Sequence, residues 1–199
     1  MVYSIKKVWK FFMTRDKLIA VAEKLFAKYG YDYTSLSQIA EETGIRKASV
    51  YAHFASKAEL FLMIYQQTHD RTLAQIRETY EDDRLKCSEK MKKIFKCICR
   101  SESLGFFRAT MFPPSELKSE TLPIFFDFEN DVKKMLSATI LEAQQNGELR
   151  GYPVENIIDM FFYVLDGLMA KSLFYTVTEY RQKVEMAWSM FWESIAAPE

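Results

Sequence analysis

The side chains best suited to chemistry fall between Ser35 and Lys57, in the stretch YTSLSQIAEETGIRKASVYAHFASK. They are hydrogen-bond donors and cations rather than a catalytic set. Lys47, Ser49, Tyr51, His53 and Lys57 follow one another closely, but no base stands beside a nucleophile in a known motif. The chain has no Gly-rich phosphate loop and no H-E-x-x-H pair. Donors along a short helix, entered through a Gly-containing turn, suit docking in a DNA major groove, with phosphate oxygens as acceptors.

The elements that must hold these donors are helices. Leu18, Ile19, Ala22, Leu25, Phe26 and Tyr29 recur at helical spacing, which predicts a first helix over about 15–29, capped by Thr14 and stopped at Gly30. Ser35 with Gln38 has capping-box spacing, so a second helix starts there and runs to about Glu42. Thr43-Gly44 makes a turn, and a third helix is predicted over about 47–54, with Val50 and Phe54 inward. Ser56 with Glu59 is a second capping box, opening a long fourth helix from Lys57 toward Tyr80.

Beyond the charged stretch 81–86 the pattern stays helical. Helices are predicted near 88–101 and 104–111, with Pro113-Pro114 as a break. A long helix is expected from Pro123, in its first turn, to Asn146, another from Pro153 to about Val177, and a last one from a Thr178 cap to about Ala197. No segment reads as a strand. The fold class expected is all-α: an N-terminal three-helix module with a helix-turn-helix, then a helical body, about nine helices in total. Domains are expected at 13–60 and 61–199. Residues 1–12 form an N-terminal extension, either a disordered segment upstream of Met13 or a basic arm that touches DNA.

Composition narrows the function classes. The 199 residues are 49% apolar and 27% charged, a soluble globular profile. No apolar run reaches the roughly 20 residues needed to span a bilayer, so a cytoplasmic protein without membrane association is expected. Net charge is zero but unevenly placed. Residues 1–57 carry ten Lys/Arg against five Asp/Glu, net +5; the remainder carries seventeen against twenty-two, net −5. That split suits a DNA-facing module joined to a body that does not cling to phosphates. Cys87, Cys97 and Cys99 form no CxxC pair and lie far in sequence from His53 and His69, so no metal or other cofactor is expected.

In order along the chain stand Ala22, Phe26, Gly30-Tyr31, Thr34-Ser35, Ile39-Ala40, Gly44-Ile45, Tyr51, His53-Phe54, Lys57 and Leu60. With this set the stretch from Asp16 to Phe61 resembles the TetR/AcrR family of bacterial transcriptional regulators. The resemblance implies a homodimer on partly palindromic double-stranded operator DNA. It also implies repression relieved when a small-molecule effector binds the C-terminal body, and no enzyme activity. The alternative is an effector-independent architectural DNA-binding protein, for which the aromatic-rich body would be superfluous.

Carried over residue by residue, the resemblance assigns DNA contact to Ser35 and Ser37 at the start of the second helix. There free N–H groups attract phosphate, and Ser35 can also serve as a cap. It assigns contact to Lys47, Ser49, Tyr51 and His53 along the recognition helix, and to Lys57 as a phosphate point charge. Two positions depart from the family. Arg46 stands where Ser often caps the third helix; it cannot accept the N–H bonds of a cap, but it brings a cation to the DNA side. Ala48 stands where Gly is common, leaving Arg46, Lys47 and Ser49 to read base edges, with the alanines on thymine methyls.

In the body, Phe106, Phe107, Met111, Phe112 and Phe125 are candidates for a pocket that takes a largely apolar ligand, or else ordinary core. Met160, Val164, Gly167, Leu168, Trp188, Phe191 and Trp192 are candidates for a four-helix dimer interface, some of them necessarily serving the core of a single chain.

Overall fold

The structure, a computed structural model, describes the backbone of residues 2–100 and 113–198; of the first thirteen side chains it describes Phe11 alone, and that of Leu173 is left out. The described residues form eight α-helices and no strand. They are α1 (Val2–Tyr29), α2 (Leu36–Thr43), α3 (Lys47–Val50), α4 (Lys57–Tyr80), α5 (Cys87–Ile98), α6 (Lys118–Gln145), α7 (Val154–Lys171) and α8 (Val177–Ile195). Short 3-10 turns at Ser115–Leu117 and Ser172–Phe174 lead into α6 and follow α7. The helix predicted near 104–111 lies outside the described residues. None of the described helices is long and apolar enough to cross a membrane.

The first helix starts far earlier than periodicity indicated, at Val2 rather than Arg15. No Gly or Pro interrupts residues 2–29, so nothing in the backbone stops the helix before Gly30. The extension 1–12 is therefore, from Val2 onward, a continuation of α1. α6 also starts ahead of expectation. Pro123 lies inside it rather than at its first turn, at the cost of one helical hydrogen bond. α8 is capped by Thr176, not Thr178. The Thr176 hydroxyl accepts from the Glu179 amide and the Glu179 carboxylate accepts from the Thr176 amide.

Two hydrophobic cores divide the molecule. The N-terminal core joins Leu18, Ala22 and Phe26 of α1 with Ile39 and Ala40 of α2, Val50, Phe54, and Leu60, Phe61, Ile64 and Tyr65 of α4. The body core joins Ile76 of α4 with Met91, Ile94 and Phe95 of α5, Leu136 and Ile140 of α6, Phe161 and Leu165 of α7, and Trp188 and Phe191 of α8. α4 thus has its first half in one core and its last turns in the other. Between them Thr68 and Thr72 are buried with their hydroxyls returned to the preceding turn of α4, and His69 is 2% exposed, its Nδ1 2.9 Å from the Tyr65 carbonyl oxygen. Leu117 leaves the body and packs into the N-terminal core, 4% exposed.

The three cysteines are buried and free of disulfides. Burial raises all three thiols, Cys87 to about 11 and Cys99 to about 12, so they stay protonated at neutral pH. Among the described residues no cluster of His, Cys, Asp or Glu could hold a metal ion.

Candidate DNA-binding surface

α2 is fixed by its cap. The Ser35 hydroxyl accepts from the Gln38 amide at 3.2 Å, and the Gln38 side chain accepts from the Ser35 amide at 2.8 Å. Leu36, Ile39, Ala40 and Thr43 face inward, so Ser35 and Ser37 are left exposed at the positive end of the helix. The Ser35 oxygen is used as a cap, and its hydroxyl proton is free to turn outward. The Lys17 ammonium donates to the Thr43 carbonyl oxygen at 2.8 Å and neutralises the other end. Gly44 then reverses the chain at φ 77°, with its amide bonded back to Ala40 and Glu41, a conformation costly for any residue with a Cβ.

α3 is shorter than predicted, four residues where about eight were expected. Arg46 occupies the N-cap without a side-chain hydrogen bond, as its chemistry requires. Past Val50 the chain continues as a helical turn, with the His53 and Phe54 amides both bonded to the Val50 carbonyl. Val50 and Phe54 anchor the element, and this turns Arg46, Lys47, Ala48, Ser49, Tyr51 and Ala52 to solvent. Tyr51 is 52% exposed although it sits beside a core residue. Ser35 and Ser37 are exposed as well.

Two predicted residues are partly buried rather than exposed. His53 is half-buried, its ring 4.1 Å from that of Phe11 on α1. Burial and the neighbouring Arg15 hold its pKa below the ordinary histidine value, so it is neutral at pH 7. It is a packing contact between α1 and the recognition element. Lys57 is also half-buried. Its ammonium donates to the Tyr31 carbonyl oxygen at 3.0 Å and lies 3.9 Å over the Tyr31 ring. Tyr33 lies 83% exposed in the turn before Ser35.

The dimer candidates separate into two groups. Leu168, Trp188 and Phe191 are buried within one chain, and Val164 and Trp192 are half-buried against the same core. Met160 and Gly167 do face outward. With them on α7 lie exposed Tyr163 (68%) and, just beyond the helix, Phe174 (76%); exposed Val177, Met186 and Met190 lie on α8. A Cβ built on Gly167 would meet nothing within 4 Å.

Of the ligand candidates, Phe106, Phe107, Met111 and Phe112 lie outside the described residues. Phe125 is half-buried with its ring 5.7 Å from that of exposed Phe126. A cleft of about 390 Å³ lies between α5 and α8, lined by Lys96, Cys99, Arg100, Tyr180 and Val184 among others, a more polar lining than expected. A second cleft, of about 680 Å³, lies between α1 and α4.

A helix-turn-helix with a cationic, hydroxyl-rich outer face, carried on a separate helical body, defines a DNA-binding transcriptional regulator. Residues 18–64 match the family profile described as bacterial regulatory proteins, tetR family. The chain is 28% identical over 169 residues to the probable HTH-type transcriptional regulator ArpR of Pseudomonas putida, covering 80% of each chain. It is 47% identical over 47 residues to the biofilm operon icaADBC HTH-type negative transcriptional regulator IcaR of Staphylococcus aureus, covering 24% of this chain and 25% of that one. A TetR-family regulator from Agrobacterium tumefaciens shares the fold, with TM-score 0.79 at 18% identity over 94% of this chain and 100% of that one. The chain thus carries the N-terminal signature of tetR-family regulators and is similar to such regulators over most of its length.

Proposed function

We propose that this regulator is a repressor that grips operator DNA as a homodimer and lets go when a small molecule binds its body. The observation that carries the DNA reading is the exposed face of Arg46, Lys47, Ser49 and Tyr51, held outward because Val50 and Phe54 are locked in the core. Ser35 and Ser37 at the N-terminus of α2 add phosphate donors. Lys47 and Tyr51 set register on the backbone, while Arg46 and Ser49 reach base edges. Repression is the activity in the name of IcaR, a relative 47% identical over 47 residues.

Dimerisation is supported by the apolar stripe of Met160, Tyr163 and Phe174 with Val177, Met186 and Met190, which a second copy would cover. The exposed Gly167 gives a partner helix room to approach. The effector is expected to be largely apolar, because residues 106–128 are rich in Phe. It would act by changing the separation of the two recognition elements, which must match half-sites about 34–36 Å apart.

The test is selection of duplexes from a random-sequence pool by the purified protein, followed by footprinting. An enriched inverted repeat, protected on both halves, is expected. Equal affinity for every duplex would replace this reading with the architectural one, and failure to retain any duplex would end both.

A further inference from the structure

We infer that Glu116 is a positioning residue for DNA binding, acting through Tyr31 on Lys57; the inference rests on the DNA reading above. The link runs between parts of the chain far apart in sequence. Glu116 lies in the 3-10 turn ahead of α6, and its carboxylate accepts a hydrogen bond from the Tyr31 hydroxyl. Tyr31 is 6% exposed, and its ring is braced edge-on against Phe61, with centroids 5.0 Å apart. The Lys57 ammonium lies over the face of that ring, 3.9 Å from its centroid, and donates to the Tyr31 carbonyl oxygen.

Each contact sets the next. An ionised acceptor makes the strongest kind of hydrogen bond a phenol can donate, so Glu116 fixes where the Tyr31 ring lies. It also pushes negative charge toward the ring, which strengthens the ring's hold on a cation. Burial and the carboxylate raise the Tyr31 pKa far above its usual range, so the phenol remains a donor at any physiological pH. Lys57 is thereby parked at the first position of α4 with one N–H on the carbonyl, its ammonium against the ring, and donor capacity left for a phosphate. A lysine free on its four-carbon stem would lose that ordering, and with it part of its grip.

The neighbouring residue secures the carboxylate's position. Leu117 is seated in the N-terminal core, with Ile124 of α6 packed against it. The body therefore reaches the phosphate-binding lysine by a contact separate from the continuous rod of α4. A shift of the Ser115–Leu117 turn would remove the acceptor from Tyr31 and release Lys57.

The experiment measures affinity by fluorescence anisotropy, over a salt series, for a duplex selected by the wild-type protein. The variants are Glu116→Ala, Glu116→Gln, Tyr31→Phe, Lys57→Met and the double variant Glu116→Ala with Lys57→Met. Glu116→Ala and Tyr31→Phe should each weaken binding about five- to tenfold, less than the full worth of a hydrogen bond to a charged group, because the loss reaches DNA only through Lys57. Glu116→Gln, which keeps an acceptor oxygen, should lose less than half of that in logarithmic terms. Glu116→Ala should lower the salt slope toward that of Lys57→Met and should cost nothing further once Lys57 is Met. Losses that multiply in the double variant, or a Glu116→Ala protein that binds like wild type, overturn the inference. Should Glu116→Ala fail to fold, Tyr31→Phe paired with Lys57→Met carries the same comparison. A Glu116→Ala protein of wild-type affinity, on a duplex that Lys47→Ala binds more weakly and with a lower salt slope, refutes the positioning role alone. A wild-type protein that selects no duplex refutes the DNA reading.

Discussion

Replacing Lys47 by Ala isolates the electrostatic part of DNA binding. Lys47 is exposed at the start of α3, and among the described residues no carboxylate pairs with it. Its charge is therefore available to a phosphate, whereas removing it leaves the packing of Val50 and Phe54 untouched. Each phosphate neutralised contributes about 0.9 to the slope of log affinity against log salt, and a symmetric dimer loses two such contacts, so the slope should fall by about 1.8. Between about 50 mM and about 200 mM salt, the wild type should then lose about twelvefold more affinity than the variant, or about 1.5 kcal/mol. The two binding curves should converge as salt rises. Arg84→Ala is the control, because that guanidinium is paired with Asp82 in the connection between α4 and α5, away from the DNA face. Anisotropy titrations at five salt concentrations measure the slopes. Parallel lines for wild type and Lys47→Ala would show that this ammonium meets no phosphate and that the outward face of α3 has been misread.

Tyr163→Asp or Gly167→Leu should convert the protein to monomers in analytical ultracentrifugation with its circular dichroism unchanged, and operator affinity should fall by about two orders of magnitude or more as the tether is lost. Phe191→Ala should instead unfold the body, at about 3–5 kcal/mol in a denaturant titration, because that ring is 3% exposed within one chain. Burial lowers the pKa of His69 and of His53, so both stay neutral in the folded protein while the unfolded chain protonates near its ordinary value of about 6.5. Stability is thus fully present above that pH and should decline below it, by up to about 1.4 kcal/mol per pH unit for buried His69 and by less for the more exposed His53, until the folded-state pKa is reached. Urea midpoints from pH 8 to pH 5 should show the decline, and His69→Phe should flatten it. Thr176→Ala removes the cap of α8 and should cost about 1 kcal/mol, seen as a fall of about 2–4 °C in the thermal midpoint.

Signals carried by near neighbours in sequence were legible. Ser35 with Gln38, and Ser56 with Glu59, announce two helix starts, because a cap needs only a hydroxyl and an acceptor three residues apart. The Ser56 cap differs in one detail, since the Glu59 carboxylate reaches back to the Ala55 amide rather than to Ser56. Thr176 with Glu179 carries the same spacing, and Thr178 was the wrong threonine of the pair. Core faces of short helices were legible too, as Val50 and Phe54 show. What the helical period cannot convey is which apolar face meets its own chain and which meets another. Trp188 and Phe191 are as apolar as Met186 and Met190, yet the first pair closes the body and the second pair faces outward. Contacts across long loops were equally hidden. Nothing around His53 announces Phe11, and nothing around Tyr31 announces Glu116, 85 residues away.

The placement of α4 in both cores bears on how this head could be exchanged with that of another regulator. A recombination joint at residue 60, the apparent end of the DNA-binding module in sequence, would separate Leu60 from Phe61, Ile64 and Tyr65, which share its core. It would also leave Leu117 of the recipient facing a socket it did not evolve with. The heritable unit of DNA recognition in this protein therefore extends at least through Tyr65, and it is discontinuous. A transplanted head should keep its specificity and its response together only when the Ser115–Leu117 turn travels with it.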